Sequence, residues 1–226
     1  MSYYIITGAT GGLGRALAHY LAKLGKRLLL VGRNQAKLEA LLAELENANN
    51  EMYVADLTKA EEVNALKSYT LDALGIPKVL INCAGHGLFG SLSNLDDDEI
   101  SASLEQNLLS VIYPCKAFVD SMKTSDGMII NVMSTAAQKG KANETVYCAA
   151  KWGVRGFTEA LREEVKSSKI RVVGVYPAGM NTDFWQQTGV DYPVDTFMSA
   201  EQAAELIVPA LESCEQGYVS DIVLNR

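Results

Sequence analysis

The first 32 residues constrain the fold more than any other stretch. Tyr3–Thr7 is a short apolar run that suits a strand. Gly8-Ala9-Thr10-Gly11-Gly12-Leu13-Gly14 follows as a turn. Leu13, Leu17, Leu21 and Leu24 then recur at helical spacing until Gly25 closes the helix. Arg27–Gly32 carries Leu28, Leu29, Leu30 and Val31 without a break, as expected of a strand buried on both faces. Strand, glycine turn, helix and strand make a βαβ unit, which commits the chain to a parallel sheet.

The rest of the chain repeats this alternation in kind, not in sequence. Helices are expected over 35–47, 59–74, 96–122, 145–167 and 200–213, and strands over 51–55, 78–83, 128–133, 171–176 and 218–224. Asp96, Asp97, Asp98 and Glu99 stand where a helix N-terminus favours negative charge. Pro114 cannot donate to the Ser110 carbonyl and predicts a bend there. No linker or repeat divides the 226 residues. The expected class is therefore α/β: a Rossmann-like, doubly wound parallel sheet of about seven strands, helices on both faces, in a single domain over 1–226. Residues 178–199 hold no clear element and are long for a connection, so they read as a substrate loop.

Composition narrows the partners. With 48% hydrophobic and 21% charged residues the chain can build its own core. A net charge of −7 argues against nucleic acid or an anionic membrane as partner. No apolar run approaches the ~18 residues of a membrane helix, and a strand begins at once where a signal peptide would stand. Cys83, Cys115, Cys148 and Cys214 lack paired spacing and read as small apolar residues of a reducing cytoplasm. With only two histidines beside them, no metal site is expected.

Glycines in a first βα turn let the backbone approach a pyrophosphate, and the following helix offers free N–H groups and the positive end of its dipole. Gly8, Gly12 and Gly14 fit Thr-Gly-x-x-x-Gly-x-Gly. Gly8, Gly11 and Gly14 fit Thr-Gly-x-x-Gly-x-x-Gly equally well, so spacing leaves both readings open. A dinucleotide fold that prefers NAD ends its second strand with an acid for the ribose 2′-hydroxyl. Here the strand ends Leu30-Val31-Gly32-Arg33-Asn34. Gly32 leaves room, and Arg33 can pair with a 2′-phosphate and lie flat against adenine. NADP(H) is expected over NAD(H).

The second cluster is Ser134, at the end of an apolar strand, with Tyr147 and Lys151 on the next helix. Four residues apart, Tyr147 and Lys151 share a helix face. A phenol of pKa ~10 is a sluggish acid and base at neutral pH, and an ammonium one turn away is expected to lower it. Tyr147 is the expected proton donor and acceptor, Lys151 its tuner, and Ser134 the hydrogen-bond donor that fixes a substrate oxygen. The Tyr-x-x-x-Lys pair alone says little, since ten tyrosines and thirteen lysines predict about 0.6 such pairs by chance. Order and context give it force.

Taken together the motifs resemble the classical short-chain dehydrogenases/reductases over essentially the whole chain. Thr7 to Gly14 resembles the family's cofactor turn, and Asp56-Leu57 its adenine-contacting Asp. Asn82-Cys83-Ala84-Gly85 is similar to its Asn-Asn-Ala-Gly motif, with Cys for the second Asn. Asn107, Ser134, Tyr147 and Lys151 match its tetrad, including thirteen residues from Ser to Tyr. The short chain and the Asn-x-Ala-Gly motif favour the Gly8, Gly12, Gly14 spacing. The resemblance implies that Lys151 also holds the nicotinamide ribose, beside Tyr147, and that Asn107 positions a water linking Lys151 to solvent. It carries the cofactor contacts on to Pro177, Gly179, Met180 and Thr182. Ala178 stands where the family usually has Gly. If that position needs φ > 0, Ala178 is mildly strained and Gly179 absorbs the turn. A homodimer or homotetramer that pairs helices 96–122 and 145–167 is also implied.

The expected function is hydride transfer between NADP(H) and a small carbonyl or alcohol, with Tyr147 as acid and base. Phe184, Trp185, Tyr192, Phe197 and Met198 in 178–199 suit an apolar or mixed ketone, or else pin the loop to the body. Cys148 reads as packing and His86 as a solvated loop residue. The alternative is a nucleotide-binding regulatory or scaffold protein on the same fold. A sensor needs only the nucleotide site, so the intact Asn, Ser, Tyr and Lys set argues against it.

Overall fold

The computed structural model describes residues 2–45, 49–190, 192–212 and 217–225. In them, strands β1 (Tyr3–Thr7), β2 (Arg27–Gly32), β3 (Glu51–Val54), β4 (Val79–Asn82), β5 (Met128–Val132), β6 (Arg171–Pro177), β7 (Met180–Asn181), β8 (Met198–Ser199) and β9 (Asp221–Leu224) alternate with seven α-helices. The helices are α1 (Gly12–Lys23), α2 (Gln35–Glu44), α3 (Ala60–Ala73), α4 (Asp97–Leu104), α5 (Ser110–Met122), α6 (Thr145–Glu164) and α7 (Ala200–Glu212). Seven strands form one parallel sheet in the order β3-β2-β1-β4-β5-β6-β9.

Period-2 alternation within each apolar strand supplies two cores. Ile6, Leu28 and Leu30 point to one face, where α1, α2 and α7 cover them with Leu17, Leu38 and Ile207. Ile5, Leu29 and Val31 point to the other, under α3, α5 and α6 with Leu66, Phe118 and Val154. Both faces being buried explains why β2 reads as unbroken Leu-Leu-Leu-Val.

The chain leaves β1 in one direction along the sheet to reach β2 and β3, and returns past β1 to reach β4. A crevice opens where the strand order reverses, outside the carboxyl ends of β1 and β4. The loops after Thr7 and Asn82 leave the sheet side by side there. Gly8 has φ 60°, and a Cβ on it would lie 2.7 Å from the Ala84 nitrogen, so no side chain fits.

Several expected boundaries move. Helix α2 ends at Glu44 with Leu45 already extended; its expected end at Asn47, like Ser213 and Cys214, lies outside the described residues. Strand β9 starts at Asp221 instead of 218, because its first rung is the Gly174 N–H to the Ser220 carbonyl, 2.9 Å. The helix expected over 96–122 is broken, but not at Pro114. Asp96 caps α4 in a capping box with Glu99. A π-helical turn, Glu105–Leu109, then separates α4 from α5, with the Ser110 N–H donating five residues back to Glu105. Pro114 lies buried within α5.

The 178–199 stretch is not structureless. β7 and β8 pair in parallel through Met180 and Met198, and short 3₁₀ turns span Asp183–Gln187 and Val194–Thr196. Trp185 Nε1 donates to the Met180 carbonyl at 2.7 Å and fastens the first turn to β7. No helix of the described residues is long and apolar enough to cross a membrane.

Candidate active site

The glycine turn lines one half of the crevice. Gly11 is extended and exposed, and α1 begins at Gly12 with its free N–H groups facing out. The structure separates the two glycine spacings. A Cβ on Gly12 would lie 2.3 Å from Thr182 Cγ2, whereas one on Gly11 would meet only the Gly8 carbonyl at 3.3 Å. Gly12 is the glycine that packing demands. Leu13 is buried beneath the turn, and Thr10 faces Gly32 at the end of β2, its Oγ1 3.8 Å from where a Cβ would stand.

Arg33 is exposed just past β2. Asp56 follows β3, and its carboxylate accepts the Thr58 N–H at 3.0 Å and the Thr58 hydroxyl at 2.8 Å. Partial burial works to raise the Asp56 pKa, but the two Thr58 bonds and the Arg33 charge outweigh it and hold the carboxyl below its usual range. The Leu57 side chain is buried in the core.

Asn82 does not open to the crevice. Its side chain is fully buried, donating to Asn131 Oδ1 at 2.9 Å and to Cys115 Sγ at 3.3 Å. Asn131 in turn donates to Thr158 Oγ1 at 2.9 Å, tying β4 and β5 to α6. Ala84 is half-buried and Gly85 exposed, on the crevice side.

Across the sheet, Pro177 ends β6 and the Ala178 N–H donates to the Leu224 carbonyl at 2.9 Å. The strain expected at Ala178 is not found. Asn143 is the one non-glycine with positive φ among the described residues, and Gly179 is not in that region either. Gly179 answers to packing instead, since a Cβ there would lie 2.8 Å from the Phe197 ring. Met180 is half-buried, and Thr182 sits over the glycine turn.

Ser134, Tyr147, Lys151 and Asn107 meet at the far end of the same crevice. Ser134 Oγ accepts the Ala136 N–H at 3.1 Å, which starts a 3₁₀ turn over Thr135–Ala137. Tyr147 occupies the first turn of α6 and Lys151 the second, with Nζ 5.6 Å from the Tyr147 ring centre. Asn107 is buried in the π turn. Its Nδ2 donates to the His86 carbonyl at 2.7 Å and to the Ser103 carbonyl at 2.9 Å, while its Oδ1 accepts the His86 N–H at 3.0 Å. Asn107 therefore clamps the loop after β4. Asn107 Oδ1 and Lys151 Nζ converge on Gly85, at 3.0 and 3.1 Å from where a Cβ would stand. His86 contributes its backbone to the clamp; its side chain is half-buried.

Electrostatics here depart from the expectation. Burial pushes the Tyr147 pKa up; the Ser134 hydroxyl pulls it down less strongly, and Glu144 adds to the rise. Lys151 does not reverse this, and its own pKa falls to about 8 because burial disfavours the ammonium. The cause is the aromatic cover. Phe89 lies edge-on to Tyr147 at 5.5 Å and Phe184 lies tilted against it at 5.9 Å, with Trp185 and Tyr192 behind them. Cys148 and Ala136 complete this cluster, so Cys148 packs as expected. The aromatics of 178–199 do pin the loop to the body, and they do so on top of Tyr147.

Phe89 and Glu144 were not singled out by the sequence. Glu144 did carry a signal, since an acid directly before the helix expected from 145 stands three residues from Tyr147. Phe89 carried none, because its place over Tyr147 depends on a clamp made by Asn107.

A model of the short chain dehydrogenase family matches residues 3–192. The chain belongs to that family and is an oxidoreductase acting on CH–OH donors. Carbonyl reductase family member 4 of Danio rerio is 31% identical over 97% of this chain and 94% of its own. Among solved structures, a short-chain dehydrogenase/reductase from Vibrio parahaemolyticus superposes with a TM-score of 0.88 at 40% identity, covering 99% of each chain. An alcohol dehydrogenase from the archaeon Thermococcus sibiricus, solved with 5-hydroxy-NADP, has a TM-score of 0.91 at 27% identity over 99% of this chain and 96% of its own.

Proposed function

We propose that the chain reduces a small ketone or aldehyde to an alcohol with NADPH, using Tyr147 as the proton donor. The observation that carries this reading is the convergence of Ser134, Tyr147, Lys151 and Asn107 at one end of a crevice whose other end is the glycine turn. The crevice fits a dinucleotide. Gly8 lets the loop after β4 and Gly12 lets Thr182 close onto a turn that opens a helix with free N–H groups, and exposed Gly11 leaves the backbone of that turn open to a phosphate. Arg33 and the absence of an acid after β2 support NADP(H) over NAD(H), as does the 5-hydroxy-NADP bound by the Thermococcus relative.

When bound, the nicotinamide supplies the hydride. The chain does the rest. Gly11, Gly12, Gly14 and Thr182 would flank the phosphates, Asp56 the adenine, and Lys151 the nicotinamide ribose. Ser134 would hold the carbonyl oxygen, and Tyr147 would deliver a proton to it as the alkoxide forms. A raised Tyr147 pKa keeps the phenol protonated at neutral pH, which suits the reducing direction. Asn107, whose amide is taken up by His86 and Ser103, would steer a proton path past Lys151 from the Gly85 side.

The substrate wall is apolar, built from Phe89, Phe184, Trp185 and Tyr192. Trp152 and Leu104 are exposed on α6 and α4, which supports pairing of these helices in a homodimer or homotetramer; light scattering reads the mass directly. The deciding experiment is a panel of ketones, aldehydes and alcohols followed by NADPH absorbance, with Tyr147→Phe alongside wild type. Turnover lost in Tyr147→Phe with NADPH binding kept is the expected result. Near wild-type kcat in that variant would refute the proton-donor role.

A further inference from the structure

Among the described residues, two charged side chains are buried, Lys151 in the second turn of α6 and Glu144 at its N-cap, on either side of Tyr147 in the chain. Burying a charge is costly unless it is paired or used. Lys151 has a use in the proposed reaction. Glu144 has none there, although its side chain is only 4% exposed. Its partners are few. Tyr192 of the loop donates to Oε1 at 3.2 Å, and Lys141 Nζ stands 3.7 Å from Oε2, too far for a good hydrogen bond and itself 37% exposed.

Tyr192 belongs to the aromatic cover. It stacks at 4.5 Å from Trp185 and 6.2 Å from Phe89, and Phe89 is the ring that lies on Tyr147. A carbonyl compound that reaches Tyr147 must part Phe89 and Phe184, and Tyr192, packed against Phe89 and Trp185, moves with them. Moving Tyr192 leaves Glu144 Oε1 buried and without its donor, a loss that water-excluding aromatic walls make severe. A substrate that brings its own donor restores the bond.

We infer that Glu144 is a specificity residue. Resting on the reductase reading above, it selects carbonyl substrates that carry a hydroxyl or ammonium group near the carbonyl, the group replacing the Tyr192 hydroxyl on the carboxylate. The remaining wall is apolar, so a plain ketone fits sterically but leaves Glu144 Oε1 without a donor, with only the distant, half-exposed Lys141 on Oε2. This is the arrangement that discriminates most strongly, because the wrong substrate strands a polar group.

The test compares kcat/KM with NADPH for acetophenone, its α-hydroxy derivative and its α-amino derivative. Wild type is expected to favour one or both donor-bearing ketones over acetophenone by about tenfold or more, the scale of one charge-assisted hydrogen bond. The two derivatives separate hydroxyl from ammonium recognition. In Glu144→Gln the hydroxyl preference shrinks and an ammonium preference disappears. In Glu144→Ala both disappear. Tyr192→Phe, which leaves the carboxylate in place and removes its resident donor, lowers KM for the preferred derivative more than for acetophenone. Equal kcat/KM for all three ketones in wild type, or an equal fall on all three in the Glu144 variants with melting temperature kept, overturns the inference and leaves the reductase reading intact. Failure of the reductase reading looks different: no NADPH oxidation with any carbonyl of the wider panel.

Discussion

Thr182 rests on Gly12 so closely that a methyl group at Gly12 would lie 2.3 Å from Thr182 Cγ2 and 2.7 Å from its Cβ. One contact thus joins the first turn of the sheet to the loop that covers Tyr147. Gly12→Ala is expected to weaken NADPH binding about tenfold or more, because either the turn or the loop must give way. The same substitution in a Thr182→Gly background should be milder, and fluorescence titration of NADPH across the four-protein cycle measures the coupling. Additive effects would deny the contact any part in binding.

Lys151 loses stability to the site it serves. Its pKa in the folded chain, about 8, lies below its ordinary 10.5, so the unfolded chain binds the proton more tightly. The penalty is full below pH 8 and fades as pH rises towards 10.5. That difference corresponds to at most roughly 3 kcal/mol. Lys151→Met is therefore expected to be more stable than wild type by about 1 to 3 kcal/mol at neutral pH in urea titration, with the gap closing in alkali, and to lose turnover. A variant less stable than wild type at neutral pH would contradict the burial cost.

The raised Tyr147 pKa predicts opposite pH behaviour for the two directions. Reduction draws on the protonated phenol and should stay level through neutral pH. Oxidation of an alcohol starts from the phenolate and should climb steadily into alkali. Profiles of kcat/KM from about pH 6 to 10 in both directions test this. Oxidation already at its plateau at the acid end would mean a phenol that ionises freely.

Arg33 stands exposed beyond β2 and near enough to Asp56 to lower that residue's pKa. Arg33→Ala should reduce kcat/KM for NADPH by about tenfold or more, the scale of a charged hydrogen bond, and leave NADH much less changed. Equal losses with both cofactors would remove Arg33 from 2′-phosphate recognition.

The sheet could be read from the sequence because burial on both faces writes itself into a parallel strand as continuous apolar residues, as in Leu28 to Val31. The nearness of Ser134, Tyr147 and Lys151 could be read because Tyr147 and Lys151 obey helical spacing and Ser134 follows an apolar strand, two residues past the end of β5. What could not be read depends on contacts between distant segments. The π turn at Glu105–Leu109 accompanies an Asn107 amide bonded to the Ser103 carbonyl and to His86, 21 residues away. Asn82 looked like a crevice residue until its register opposite Asn131 turned it into the core. The direction of the Tyr147 shift is illegible in the sequence for the same reason. Spacing shows the charge on Lys151, but not the Phe89 and Phe184 rings that dry the phenol.

The two halves of the crevice differ in access. Gly11, Gly12, Arg33 and Gly85 are exposed, while Tyr147 is sealed under Phe89 and the 178–199 aromatics. This asymmetry has a kinetic meaning. On the proposed reading a dinucleotide meets an open surface, whereas a carbonyl compound must wait for the rings to part. Its apparent on-rate should level off at the opening rate of the loop, and binding should run in a fixed sequence, dinucleotide first and carbonyl second.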